Sequence, residues 1–185
     1  LGRERAVPIH PWTERTITLA EWQRVTEMKG LIIAESGIPL DKQLRPIHPA
    51  LIWNDTRATK EARDALEKIG QERLAAITGN TSDPYFGFTK MLWIKNNLPK
   101  VWERTYKFAT PNGYAAYLLT GILRYDLSYA GNLGGVFDIN RMDWSDELLN
   151  ELEIPRDKLP DLISCDQVVG EVSSEGARLS GLKKG

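Results

Sequence analysis

Apolar residues recur at helical spacing from residue 62 onward. Four of them follow the i, i+3, i+4, i+7 pattern: Ala62, Ala65, Leu66 and Ile69. This stripe is typical of an amphipathic helix with one face against a core. Asp55 or Thr56 precedes it, and a short polar side chain can cap a helix by accepting a bond from a free backbone N–H. The pattern therefore predicts a helix over about residues 57 to 69.

A second apolar stripe predicts another helix downstream. Phe88, Met91 and Leu92 share one helical face, and the stripe stops near Asn96. Pro99 follows, and proline suits the first position of a helix because its missing N–H is not needed there. We therefore expect two short helices in series.

Cap residues mark three further helices. Asn112 is a candidate cap for a helix over residues 113–120, and Gly121 can supply its left-handed stop. Ser145 is a candidate cap for the next helix. A short helical turn near the end of the chain is closed by Gly181. Most predicted helices thus have a start or a stop signal in the sequence.

Short apolar runs bounded by turn residues predict strands. There are four such runs: Gly30–Ala34, Ala50–Trp53, Ile122–Tyr125 and Val136–Ile139. Residues 1–27 are interrupted by prolines and polar residues and read as an irregular lead-in. Strands mixed with several helices indicate an α/β or α+β domain.

Composition narrows the classes of function. The formal net charge of −1 over 185 residues argues against nucleic acid as a partner. No apolar run approaches the roughly 20 residues that cross a bilayer, so we expect no membrane partner. Cys165 is the only cysteine, which excludes an internal disulfide and suits a reducing cytoplasm. His10 and His48 are far apart in sequence, so we do not expect them to be the ligands of a zinc site.

Asp126 is the strongest candidate for chemistry. It directly follows the predicted strand Ile122–Tyr125, and α/β folds place reactive groups at strand ends. A sugar hydroxyl is a poor nucleophile at neutral pH, and a nearby carboxylate can accept its proton during phosphoryl transfer. The alternative is structural, because an aspartate at a strand end often forms a turn.

Six short blocks, taken in order, resemble the FGGY family of carbohydrate kinases. They are Trp53–Ala58, Asp83–Phe86, Thr89–Ile94, Leu119–Gly121, Asp126–Ala130 and Asp143–Ser145. The similarity runs from about Met28 to Leu182, and the ordered set is far more specific than any one block. Members of this family phosphorylate sugars and polyols such as xylulose, ribulose and glycerol.

The resemblance implies an actin-like, ribonuclease-H-like first domain over residues 28–185. ATP with Mg²⁺ would lie between it and a second domain, and neither that domain nor the Asp-x-Gly-Thr phosphate turn of the family occurs in the sequence. We therefore expect an incomplete copy of the enzyme, inactive alone and with no nucleotide or metal bound to this chain. Asp126 matches the family's general base in the pattern Asp-x-Ser/Thr-x-Ala.

The same resemblance implies a set of substrate-binding residues. Tyr85 and Trp53 match aromatic residues that line the sugar site, and Asp55 belongs to the same block as Trp53. Met28 and Lys29 align with a residue pair that touches the substrate. Each has a structural alternative: Trp53 as core, Tyr85 as a packing anchor and Asp55 as a helix cap.

Two departures from the family put the identity of the sugar in doubt. Lys29 stands where better-known members have histidine or glutamate, and Tyr129 replaces the commoner aspartate or asparagine. A lysine there could hydrogen-bond a hydroxyl or a carboxylate, so acidic sugars stay open. The glycine-bearing stretch Gly131–Gly135 lacks a following Lys-Ser or Lys-Thr, so we interpret it as a turn and not as a phosphate loop.

Three hypotheses follow. The first is the sugar-binding part of a carbohydrate kinase, with a small sugar or polyol as partner. The second is a non-catalytic module that serves sugar binding or dimerisation, which would make the protein a homodimer. The third is a glycosidase-like hydrolase that pairs Asp126 with Asp138 or Asp55.

Overall fold

The computed structural model describes residues 37–185, in which short helices alternate with shorter strands. The strands are β1 (Ile38–Leu40), β2 (Lys107–Ala109), β3 (Arg124–Asp126), β4 (Phe137–Asp138), β5 (Asp143–Trp144) and β6 (Asp161–Ile163). The α-helices are α1 (Thr59–Ile69), α2 (Gln71–Thr78), α3 (Gly87–Asn97), α4 (Pro99–Arg104), α5 (Pro111–Thr120), α6 (Leu127–Asn132), α7 (Asp146–Glu151) and α8 (Ser174–Ser180). A 3₁₀ turn covers Arg156–Lys158. The described part of the chain is an α/β domain, and none of its helices is long and apolar enough to span a membrane.

The predicted helix near residue 62 is confirmed as α1. It buries Ala62, Ala65 and Ile69, as the apolar stripe predicts. The predicted cap is wrong, because Ala58 occupies the N-cap position and makes no side-chain cap bond. Asp55 instead accepts the backbone N–H of Arg57, which stabilises the turn before the helix.

The helices over residues 87–104 are confirmed as α3 and α4, and Pro99 is the first residue of α4. The cap of α5 is corrected: the Thr110 hydroxyl, not Asn112, accepts the Gly113 N–H. Thr110 has the extended backbone of a cap residue, whereas Asn112 already lies inside the helix. Gly121 ends α5 in the left-handed conformation at φ 81°.

The caps predicted for the last two helices are confirmed. Ser145 accepts the backbone N–H of Leu148 at the start of α7. Gly181, at φ 77°, closes α8.

The strands form three two-stranded sheets within residues 37–185. β1 pairs antiparallel with β2, and β4 pairs antiparallel with β5. β3 and β6 are parallel, with Asp126 opposite Ile163. Because the two strands of a parallel pair run in the same direction, the segments after Asp126 and after Ile163 leave the sheet at the same edge.

Two strand predictions are shifted and one is wrong. The strand predicted over residues 122–125 is observed two residues later at its start, as β3, and the run over 136–139 pairs only at Phe137 and Asp138. Residues 50–53 do not form a strand: only Leu51 pairs, through a single bridge to Gly37. A turn begins at Trp53, and proline at 49 cannot donate to a ladder. The strand predicted over 30–34 lies outside the described residues.

The main core lies beneath β3. Trp144 is 1% exposed, its ring meets those of Tyr125 and Phe137 edge to face, and its indole N–H donates to the Pro160 carbonyl at 3.0 Å. Tyr125 is also 1% exposed. Because Asp126 directly follows Tyr125, the burial of that phenol fixes the end of β3 from which Asp126 projects.

Candidate active site

Trp53 and Tyr85 form an exposed aromatic pair. Their ring centroids are 6.0 Å apart at an interplanar angle of 62°, an edge-to-face geometry that aromatic pairs favour. The side chains are 43% and 38% exposed, so the core alternative for Trp53 is wrong. Tyr85 also meets the Phe86 ring at 5.4 Å. Residues 32 positions apart in sequence thus present one aromatic surface to solvent.

The Tyr85 loop is shaped by local hydrogen bonds. The Asp83 carboxylate accepts the Tyr85 N–H at 2.8 Å, and the Thr89 hydroxyl donates to the Phe86 carbonyl at 2.8 Å. Asp83 forms the turn that a sequence of this kind favours, and Thr89 ties it to the first turn of α3. The ring of Tyr85 therefore stands on a defined backbone.

Lys90 joins the Trp53 segment to the Tyr85 loop. Its side chain is 0% exposed. The Nζ atom donates to the carbonyl oxygens of Asp55 at 3.3 Å and Tyr85 at 3.2 Å, and also to that of Pro84. Sequence reasoning missed this residue, which appears within one of the family-like blocks but gives no signal of its own contacts.

The carboxylate of Asp55 forms an ion pair with Arg57. The guanidinium Nε lies 2.8 Å from Oδ1, and a second nitrogen lies 2.8 Å from Oδ2. Partial burial acts to raise the pKa of Asp55, but the hydrogen bonds and charge of Arg57, with the charge of Lys90, hold that pKa below its ordinary value. The carboxylate is therefore ionised at neutral pH, and its role in substrate binding stays a prediction.

Asp126 lies at the end of β3, where the sequence predicts a reactive group, and is also the N-cap of α6. Its Oδ1 accepts the backbone N–H of Tyr129 at 3.0 Å. Its Oδ2 accepts from the Asn112 side-chain amide at 2.7 Å. The side chain is half-buried. The structural alternative is thus real, because this carboxylate caps a helix whatever else it does.

Asn112 and Cys165 complete the surroundings of Asp126. The Asn112 amide donates to Asp126, while its own carbonyl oxygen is buried and has no partner among the described residues. The Cys165 sulfur lies 3.7 Å from Oδ1 of Asp126 on an exposed side chain. Cys165 follows β6, so its position could have been predicted if that strand had been recognised.

Helix α6 connects Asp126 with the aromatic pair. It begins after Asp126 and is followed by Leu133, whose carbonyl accepts the Phe88 N–H at 3.0 Å. A helix of six residues spans about 9 Å. The hydrogen-bond partners of Asp126 in the described residues do not include Trp53 or Tyr85. The structure therefore brings the two aromatic residues together, and the place of Asp126 in the same site stays a prediction.

The glycine stretch is a packed turn, as predicted. Gly134 and Gly135 are buried, and Gly134 has φ 94°. A Cβ at either position would come within 2.8 Å of the Phe86 or Phe88 ring. Buried backbone of this kind cannot surround a phosphate. No cluster of three or more metal-ligating side chains occurs within residues 37–185.

The carboxylates of the hydrolase hypothesis have separate hydrogen-bond partners. Asp138 accepts the backbone N–H groups of Asn140 and Arg141, and Asp55 is paired with Arg57. Neither shares a partner with Asp126 in the described part of the chain. The structure therefore gives that hypothesis no support. Met28 and Lys29 lie outside the described residues.

Comparison with known proteins identifies a family. Residues 27–185 match the sequence model described as "FGGY family of carbohydrate kinases, N-terminal domain". The xylulose kinase of Lactococcus lactis is 36% identical over 141 residues, which cover 76% of this chain and 28% of the relative. The glycerol kinase of Trichlorobacter lovleyi is 35% identical over 137 residues, which cover 70% of this chain and 27% of the relative.

A solved structure is similar in fold. The xylulose kinase from Rhodospirillum rubrum superposes with a TM-score of 0.77 at 25% identity, covering 82% of this chain and 31% of that one. The chain thus spans less than a third of the length of these relatives.

Proposed function

Because the chain belongs to the FGGY family of carbohydrate kinases, whose fold is actin-like, we propose that it supplies the sugar-side residues for ATP-dependent phosphorylation of a sugar or polyol hydroxyl. The observation that carries this proposal is the family match over residues 27–185. That range includes Trp53, Tyr85 and Asp126. A fold alone would not carry a function, but here the matched range also contains the candidate site.

The acceptor class is a pentulose or a small polyol. The similar proteins include a xylulose kinase and a glycerol kinase. The exposed pair of Trp53 and Tyr85 suits such a ligand, because an aromatic face packs on C–H groups while the phenol and indole edges hydrogen-bond to hydroxyls. Asp55 supports this wall through its backbone carbonyl, which accepts from Lys90.

Asp126 is the proposed general base. Asp126 would accept the proton of the acceptor hydroxyl on a carboxylate oxygen, as that hydroxyl oxygen bonds to the γ-phosphorus that ATP would supply and the bond from that phosphorus to ADP breaks. The backbone N–H of Tyr129 and the amide of Asn112 fix the carboxylate plane. A fixed base within reach of the hydroxyl avoids the entropic cost of aligning the two groups.

ATP with Mg²⁺ is the phosphoryl donor that membership of the family implies. To the described residues we assign the binding and deprotonation of the acceptor. By this proposal the isolated 185-residue chain binds a sugar and releases no ADP.

The test is an ADP-release assay on the protein expressed from its complete reading frame, with a panel of xylulose, ribulose, glycerol and gluconate. We expect turnover with at least one pentulose or polyol. Sugar binding without ADP release from any acceptor would favour the alternative of a non-catalytic binding module and contradict the proposal. The same assay on the 185-residue chain should give no ADP.

A further inference from the structure

Lys90 is a fully buried lysine whose position is set by backbone carbonyls. Its neighbours in α3, Phe88 and Met91, are core residues at 0% exposure, as Lys90 is. Taking an ammonium out of water is expensive unless hydrogen bonds replace its hydration. The carbonyl oxygens around Nζ contribute to that replacement. Because burying an ammonium costs free energy, we look for a structural role in the contacts of Lys90.

The contacts of Lys90 join the two segments that carry the aromatic pair. One acceptor is the carbonyl of Asp55, two residues after Trp53. Two more are the carbonyls of Pro84 and of Tyr85 itself. Hydrogen bonds from a charged donor are stronger than neutral ones, so a single ammonium fixes the separation of two loops that are distant in sequence.

We propose that Lys90 is a positioning residue for sugar binding, holding Trp53 and Tyr85 at the spacing that a sugar requires. This inference rests on the proposed function. Without the ammonium, the carbonyls of Asp55 and Tyr85 turn toward water and the loops separate. A displacement of about 1 Å in a positioning group is enough to weaken a site strongly. The described hydrogen bonds of Asp126 do not involve Lys90, so we expect the effect to fall on sugar affinity.

Lys95 provides a matched control on the same helix. Its Nζ also donates to two backbone carbonyls, those of Leu152 at 3.3 Å and Glu153 at 3.1 Å, and to the Glu153 carboxylate at 2.8 Å. These acceptors lie just after α7 and not in the aromatic loops. Removing Lys95 therefore removes lysine-to-carbonyl bonds of the same kind without touching the Trp53 and Tyr85 segments.

The experiment compares Lys90→Met with Lys95→Met in the protein expressed from its complete reading frame, using a sugar that the wild type phosphorylates. For Lys90→Met we expect KM for the sugar to rise by about tenfold or more, with KM for ATP within about twofold of wild type. For Lys95→Met both constants should stay within about twofold, whatever the change in melting temperature. A sugar KM that is unchanged in Lys90→Met, or raised equally in Lys95→Met, overturns the inference.

Two further measurements keep the test decisive. If Lys90→Met does not fold, Lys90→Gln retains a shorter donor, and an unchanged sugar KM in a folded Lys90→Gln also overturns the inference. A crystal structure of the folded variant tests the geometry directly: we expect the Trp53 and Tyr85 centroids to leave their 6.0 Å separation, and an unchanged separation contradicts the role. A wild type that phosphorylates no sugar would refute the proposed function, while the structural comparison would still judge Lys90.

Discussion

Replacing Asp126 separates its structural role from its chemical one. In Asp126→Ala, the N–H of Tyr129 loses its cap acceptor and the Asn112 amide loses its partner. Loss of an N-cap acceptor costs about 1 kcal/mol. A half-buried amide left unpaired costs about 1–3 kcal/mol more. We therefore expect the free energy of unfolding to fall by roughly 2–4 kcal/mol in Asp126→Ala.

Asp126→Asn should preserve most of this stability. Asparagine is as good an N-cap as aspartate, so its oxygen can accept the Tyr129 N–H. Its amide can donate to the carbonyl oxygen of Asn112, which is buried without a partner in the described structure, once the Asn112 amide rotates by a half turn. We expect a loss within about 1 kcal/mol.

Urea denaturation of the two variants and the wild type measures both values by linear extrapolation. Equal m-values are needed for the comparison, since a changed m would mean a changed unfolded or native state. If Asp126→Ala loses less than about 0.5 kcal/mol, or if Asp126→Asn is as unstable as Asp126→Ala, then the cap and the amide bond do not hold Asp126 as described.

Two further substitutions test the packing. Gly176→Ala would place a Cβ 2.0 Å from the carbonyl oxygen of Leu119 and should lower the free energy of unfolding by about 1–3 kcal/mol or more. The control is Gly131→Ala, whose Cβ would have no contact closer than 3.9 Å and which should be neutral or slightly stabilising. Equal shifts in melting temperature for the two variants would contradict the close crossing of α5 and α8. The Tyr125 hydroxyl is buried without a partner in the described residues. Tyr125→Phe should therefore keep the contact with Trp144 and be as stable as the wild type or up to about 2 kcal/mol more stable. A loss of more than about 1 kcal/mol would mean that the hydroxyl makes a hydrogen bond. Burial raises the pKa of Tyr125 well above its ordinary 10.0, so the unfolded chain releases the phenol proton near pH 10 while the folded chain retains it. The free energy of unfolding of the wild type should therefore fall above that pH more steeply than that of Tyr125→Phe. Parallel pH profiles of the two proteins would refute the burial.

The sequence predicts the helices better than the strands. The helix over residues 59–69 and the Ser145 cap follow from local signals, an apolar stripe and a hydroxyl before a free N–H. The strands have only two or three residues, too short for a period of two to register. The apolar run over residues 50–53 is an example: it predicts a strand, but Trp53 is exposed in a turn.

The candidate site could be predicted in part for the same reason. Asp126, Trp53 and Tyr85 belong to short blocks that resemble the family, so residue identity was enough to select them. Asn112 and Lys90 act through contacts with residues 14 and 35 positions away. Such contacts depend on tertiary packing, and one sequence carries no local signal for them.

Asp126 is the residue that we propose accepts the proton of the sugar hydroxyl. The most direct test of this role is kcat of Asp126→Asn, which keeps the cap but removes a carboxylate able to take a proton. Asp138→Asn is the control, because Asp138 likewise accepts backbone N–H groups in a turn. We predict that kcat falls by about 10²–10⁴ in Asp126→Asn and stays near wild type in Asp138→Asn. Wild-type turnover by a folded Asp126→Asn protein would contradict the account.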